Sequence, residues 1–213
     1  MDVSRRVLLA VLALTVWATP AVAQRRPVVG VRGFATLGSL TFQAKESFET
    51  VLGSASGVVF GGGGQVLLPW DIYVEVAASR FRQQGERVFV GPNDEVFRLG
   101  IPVEVTVMPL ELTGGFRYRK WRRAVPYGGI GYSFYRYRET SEFADRSENV
   151  NDGFGGFHLV GGAEIQPKRW LAVGGEVSWS SIPDALGDGG VSAAFDEHNL
   201  GGSTFRIKVS VGR

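Results

Sequence analysis

The chain of 213 residues contains no cysteine. This excludes a disulfide framework, a thiol nucleophile and a lipid-anchored cysteine, so stability has to come from backbone pairing and packing. Long apolar runs are also missing beyond the first 23 residues. Nothing downstream approaches the roughly 20 apolar residues of a membrane-spanning helix. A sustained 3.6-residue period is lacking too. Only "KESFETVLG", from Lys45 to Gly53, suggests a helix, of one or two turns. An excess of one charge sign is scarcely present: 23 Lys and Arg face 21 Asp and Glu. With no basic stripe set apart from acidic neighbours, nucleic-acid binding is excluded.

What is present starts at the N-terminus. Arg5 and Arg6 precede the apolar run "VLLAVLALTVWA", and Pro20 and "AVA" follow. That is the three-part pattern of a secretory signal peptide, too short in its apolar part to serve as an anchor. The expected organisation is a signal peptide over residues 1–23, cleaved near Ala23, and a single β-barrel domain over 24–213.

Period-2 alternation fills that domain. In "DIYVEVAAS", Ile72, Val74 and Val76 oppose Tyr73, Glu75 and Ala77. In "FHLVGGAEI", Phe157, Leu159 and Ile165 oppose His158 and Glu164. "LAVGGEVSW" and "FRIKVSV" repeat the pattern. Three connections are short, at Pro69-Trp70, Lys120 to Val125 and Pro167 to Trp170. Three long polar ones cover Gln43 to Ser56, Thr140 to Asp152 and Pro183 to Leu200. "GPND" at Gly91 to Asp94 marks a fourth turn, joining two long segments into one extended hairpin. A parse into nine strands with a turn at Met108-Pro109 breaks the alternation of short and long connections. Eight antiparallel strands keep it.

The predicted fold is all-β: an eight-stranded antiparallel up-and-down transmembrane barrel. Its lumen is just wide enough for side chains to fill. A soluble lipocalin-like barrel is the competing architecture, with apolar residues inside and polar residues outside. The two faces argue against it. One is a continuous series of Val, Leu, Ile, Phe and Trp, while the other mixes Gly, Ala and Ser with whole charges.

The segments "LTGGFRYR" (Leu112 to Arg119), "VPYGGIGYSFYRY" (Val125 to Tyr137), "HLVGGAEI" (His158 to Ile165) and "LGGSTFRIKVSVG" (Leu200 to Gly212) carry a resemblance. With the signal peptide, they look like the small outer-membrane barrels of the OmpA-transmembrane, OmpX and opacity-protein type. The resemblance covers the expected mature chain as a pattern. It implies a location in an outer membrane of Gram-negative type and insertion by the barrel-assembly machinery. Many such proteins end on Phe, whereas this sequence ends Gly212-Arg213. The likeness to OmpA is expected to stop at the barrel.

Two groups of residues stand out. Trp70, Trp121 and Trp170 fall at the three short turns, where an interfacial aromatic girdle would sit at headgroup level. Lys120, Arg122, Arg123, Lys168 and Arg169 accompany two of them and suit anionic headgroups. By parity, Arg32, Glu75, Glu111, Arg117, Glu164, Glu176, Arg206 and Lys208 point into the lumen. A buried charge is costly unless paired, so four acids and four bases predict a charge network. Counted from the short-turn ends, Glu176 and Arg206 lie at similar heights, as do Lys208 and Arg32. Gly162 and Gly174 would leave room for long side chains. For Glu164 and Glu176 both to face inward, their turn needs an odd number of unpaired residues, which Lys168 to Trp170 would supply.

The chemistry-bearing alternatives are weaker. Paired carboxylates hydrolyse glycosides only beside a substrate cleft. Ser203, His198 and Asp196 can be drawn as a triad of a lipid-modifying hydrolase, yet triads are recognised by geometry. His158 lies on the inward face. Asp184, Asp188, Asp196 and Glu197 lack EF-hand spacing. "GGGG" at Gly61 to Gly64 lacks the Lys-Ser or Lys-Thr of a phosphate loop. No catalytic residue, metal site or cofactor is therefore assigned, and the chain is not expected to be an enzyme. The expected role is structural, or surface interaction through extracellular loops. A small gated channel is the first alternative and the hydrolase the second. The expected partners are outer-membrane lipid, the assembly machinery and an extracellular ligand or surface, and the chain is expected to be a monomer.

Overall fold

Because side chains alternate across a strand, each period-2 segment of this chain can turn one face to lipid and one to a core. In the computed structural model, which describes residues 29–91, 95–119, 121, 124–141, 150–187 and 190–213, eight such segments do so. The expected signal peptide, Pro92 to Asp94 of the "GPND" turn, Lys120, Arg122, Arg123 and Asp188 lie outside the described residues. The strands are β1 (Gly30–Phe42), β2 (Ser56–Leu67), β3 (Ile72–Val90), β4 (Val96–Arg117), β5 (Val125–Ser141), β6 (Val150–Lys168), β7 (Leu171–Ser181) and β8 (Gly202–Gly212). Each pairs antiparallel with its sequence neighbours, and β8 pairs with β1 to close the barrel. Closure satisfies every ladder group within the wall, as crossing a bilayer with strands requires. β4 runs unbroken through Met108-Pro109, so the nine-strand parse fails.

The polarity of the two faces is that of a membrane barrel and not of a lipocalin. Val31, Leu37, Val74, Val76, Leu112, Ile130, Ile207 and Val211 are exposed on the outside, whereas all eight charged residues assigned to the lumen are buried. The Trp residues at the short turns are exposed, Trp70 by 85%. Trp179, which the sequence reading left unassigned, faces outward at the opposite end of the barrel. There it meets Phe157 edge-on, with ring centroids 5.6 Å apart.

Two local expectations are corrected. The β6–β7 turn does not leave Lys168 to Trp170 unpaired, because Lys168 pairs with Leu171. The required parity comes instead from a bulge that places Gln166 and Pro167 opposite the single Ala172. Pro167 has no N–H to donate, so the ladder breaks most cheaply there. Nor are Arg32 and Lys208 level with each other. Arg32 lies opposite Gly212 and Lys208 opposite Thr36. The β1–β8 seam has no turn, so its register follows from barrel closure and not from counting along a hairpin.

The β3–β4 hairpin stands above the wall. β2 accompanies β3 only as far as Phe81, and β5 accompanies β4 only as far as Val103. The nine residues beyond Phe81 would reach on the order of 30 Å. Helix α1 (Lys45–Leu52) leans on its base: Gln83 Nε2 donates to Leu52 O at 3.2 Å. A Cβ on Gly85 would lie 2.8 Å from Leu52 Cδ2, so this strand edge admits the helix only as glycine. A second, shorter helix, α2 (Gly190–Ala194), lies in the β7–β8 connection.

The lipid-facing assignment is testable at Ile207, in the middle of β8. Ile207→Arg is expected to cost about 2–4 kcal/mol, the range for a cation on the lipid face near the midplane. Urea titration of the vesicle-inserted chain measures this. In a soluble barrel the same exposed position would tolerate arginine with little change.

Candidate functional site

The inward residues of the eight strands form two layers. The layer nearer the short turns is charged. Glu164 Oε1 accepts Arg32 Nη1 at 2.9 Å, Gln166 Nε2 at 2.9 Å and Arg117 Nη2. Higher up, Arg206 Nε donates to Glu176 Oε1 at 2.6 Å, and Arg206 Nη1 bridges to Glu111 Oε2 at 2.9 Å. Glu176 and Arg206 are direct register partners on β7 and β8. Lys208 Nζ donates to Glu75 at 2.6 Å and to Glu176 Oε2 at 3.2 Å.

The equal count of acids and bases hides an uneven distribution. Arg32, Arg117 and Glu164 make a cluster with one surplus positive charge. Glu75, Glu111, Glu176, Arg206 and Lys208 make one with a surplus negative charge. Neutral donors help hold the acidic cluster. Tyr127 Oη donates to Glu176 Oε2 at 2.9 Å and Gln65 Nε2 to Glu75 Oε2 at 2.8 Å. Lys208 also lies 4.2 Å above the Phe34 ring, a cation–π contact. His158 is buried between Thr113 and Ser133, each 2.8 Å from one ring nitrogen. It is a core residue of the network with no approach from solvent.

Glycines make this layer possible. A Cβ on Gly115 would lie 2.6 Å from the Tyr73 ring, and one on Gly162 would lie 2.7 Å from the Tyr127 ring. The glycine pairs in the sequence therefore place one hydrogen outward and one inward, the latter giving an aromatic ring its space. Sequence reasoning found the eight charges by parity. It put Tyr73 on the same face as Glu75 but did not name Gln65, Tyr127 or Gln166.

The outer layer is apolar, which the expectation of a charge-filled interior did not include. Leu40, Phe42, Val59, Phe81, Val105, Val107 and Tyr135 point inward there. Phe48 and Leu52 of α1 and Ile182, Ala185 and Leu200 of the β7–β8 connection close over them. Phe42 stacks on Phe48, with ring centroids 3.9 Å apart. The N-terminus of α1 lacks a side-chain cap, because Ala44 occupies the cap position. Glu197 supplies one from the far end of the chain, accepting from Glu46 N at 3.2 Å and Ser47 N at 2.9 Å. Helix N-termini carry unsatisfied N–H groups and a partial positive charge, so one carboxylate ties the two outer connections together.

This assigns the residues considered for chemistry. Glu197 caps a helix. Among the described residues no His, Cys, Asp and Glu group is arranged to hold a metal. His198 places Nε2 3.0 Å from Asp196 Oδ1 and Nδ1 3.3 Å from Leu186 O. Only the imidazolium can donate to both, and the hydrogen bond to Asp196 raises its pKa above the ordinary 6.5. Such a ring is a poor base for a serine hydroxyl. Ser203 instead lies on the lipid-facing parity of β8, opposite Trp179 and Thr41, so the structure does not assemble the triad.

A closed eight-stranded wall, an apolar outer band and a polar, packed lumen define a small integral membrane β-barrel. Residues 7–211 match the family described as outer membrane protein beta-barrel domain, and the chain belongs to that family. No curated protein sequence matches it. Among solved structures it is similar to Ail, the attachment invasion locus protein of Yersinia pestis, at 11% identity and a TM-score of 0.50. That match covers 88% of this chain and 100% of Ail. It is also similar to Neisserial surface protein A, at 11% identity and a TM-score of 0.50, covering 86% of this chain and 96% of that one.

Two substitutions test the charged layer. Glu164→Gln removes the one carboxylate that Arg32 and Arg117 share and is expected to cost about 3–5 kcal/mol, as for a broken buried ion pair. Glu111→Gln leaves Arg206 on Glu176 and should cost clearly less. Reversible unfolding from vesicles compares the two, and equal small losses would refute the pairing.

Proposed function

We propose that this protein is an outer-membrane barrel whose lumen is structural and whose working surface is its outer, long-loop end. The observation that carries this reading is that the interior is occupied twice over, by the ion-paired layer and by the apolar plug under α1. A solute would have to break both. The outer end, by contrast, presents varied relief: α1, the tall β3–β4 hairpin and the β7–β8 connection. Between them lies a cavity of about 400 Å³ lined by Phe48, Val51, Leu52, Val105, Tyr137 and Leu186, among others. An apolar recess with a few polar groups is the usual form of a recognition site.

The same geometry weighs against the alternatives. A hydrolase needs Ser203 on His198, whereas the His198 ring nitrogens face Asp196 and Leu186 O, and Ser203 has the lipid-facing parity of β8. A gated channel needs the Arg206–Glu176 and Lys208–Glu75 contacts to open together. Among the described residues only β4 pairs with β3 beyond Phe81, and only β3 pairs with β4 before Val103, so pairing with an added strand would take place on the upper half of the hairpin.

Planar bilayers and intact cells test this together. The expected result is no resolved conductance, together with surface binding that is lost when protease trims the outer loops. A steady conductance altered by Glu176→Gln or Arg206→Met would establish the channel instead. Binding unchanged after trimming would remove the surface role.

A further inference from the structure

The short-turn end of the barrel holds a second cavity, of about 380 Å³, with a different character. Four arginines line it, Arg32, Arg119, Arg169 and Arg213, and Asp71 is the one acidic side chain among the lining residues. Asp71 is already engaged, 3.0 Å from Arg119 Nε. Behind Arg32 stands Arg117, 1% exposed, sharing Glu164 Oε1 with it. Arg117 Nε and Nη1 are buried and find no partner among the described residues. Five guanidinium groups thus face two side-chain carboxylates.

The walls around this charge are unusual as well. Trp70 and Asp71 are consecutive non-glycine residues with φ of 61° and 64°. Left-handed backbone at such residues is costly and persists only where its surroundings hold it. Here it turns Asp71 onto Arg119 and leaves Trp70 exposed at the rim. Trp170, with Lys168 Nζ 5.6 Å from its ring centroid, lies one residue from the lining Arg169. Tryptophans of a girdle lie at headgroup depth, so the cavity opens where lipid phosphates lie.

The geometry points to a phosphate-binding site in the short-turn mouth, with Arg169 and Arg213 as its outer clamp and Arg32 as its floor. Guanidinium groups suit this ligand because their planar forks bond two phosphate oxygens at once. The chemistry is that of a phosphate anion, supplied either by the headgroup of an anionic phospholipid in the facing leaflet or by free phosphate. Neither the fold nor the surface role assigned above requires such a site.

The experiment uses the full chain in nanodiscs of phosphatidylcholine doped with phosphatidylglycerol. Lipid retained through a detergent wash is counted by native mass spectrometry. The wild type should retain phosphatidylglycerol about tenfold over phosphatidylcholine, and Arg169→Gln with Arg213→Gln should bring the ratio to within about twofold. Lys45→Gln, an exposed cation on α1 at the opposite end of the barrel, should leave the preference intact. If inorganic phosphate displaces the retained lipid, a free anion shares the site; if it does not, the site belongs to the headgroup. Both results support a built site. Equal ratios in the wild type and the double variant, or an equal loss in Lys45→Gln, would overturn it. All these substitutions are on exposed side chains, and the heat-dependent gel shift of each variant verifies folding.

Discussion

The burial of full charges inside a narrow closed wall is the constraint on which the rest of the structure depends. Glu164, Glu176 and Glu75 cannot stay ionised in a dry lumen unless each meets a cation at contact distance. That requirement places Arg32, Arg117, Arg206 and Lys208 within reach of those carboxylates, mostly across the lumen from non-neighbouring strands. It also explains the glycines, since a lumen filled by guanidinium groups and tyrosine rings needs bare backbone opposite them. Gly115 beside Tyr73 and Gly162 beside Tyr127 meet that need.

Polarity then changes along the axis in a way that divides the labour of the two ends. Positive charge gathers at the short turns, the acidic cluster lies above it, and an apolar cluster packs under α1 at the outer end. Glu197 on the N-terminus of α1 ties the β1–β2 and β7–β8 connections together over this cluster.

Much of this was legible in the sequence because the pleat has a fixed period of two. Parity put Arg32, Glu75, Glu111, Arg117, Glu164, Glu176, Arg206 and Lys208 on one face, and closure of the wall buries that face. Height counted from the short-turn ends put Glu176 level with Arg206, and the two are register partners although a long connection joins β7 to β8. Other contacts were not legible. Arg32 meets Glu164 across 132 residues of chain, and Glu197 caps a helix about 150 residues away. Neither pairing follows from a local pattern. The plug was hidden for another reason. Leu40, Phe42 and Phe81 share the parity of the charges, and only strand height separates the two layers. The β6–β7 bulge was half visible. Parity demanded an odd count, but only the backbone shows that Pro167 absorbs it.

Because the chain lacks cysteine, single cysteines can report on the interior without a background. Ser133, Ser178 and Ser210 face the lumen, and serine-to-cysteine changes there are nearly isosteric, while Val177 and Val209 face lipid. Each single-cysteine variant, folded in vesicles, would be exposed to a small water-soluble thiol reagent and to a lipid-soluble maleimide. A lumen closed by ion pairs and an apolar plug predicts that the three inward positions resist both reagents until the protein is unfolded. Positions 177 and 209 should react with the lipid-soluble reagent alone. Rapid modification of the inward cysteines by the aqueous reagent in the folded protein would show a water-filled passage and contradict the account.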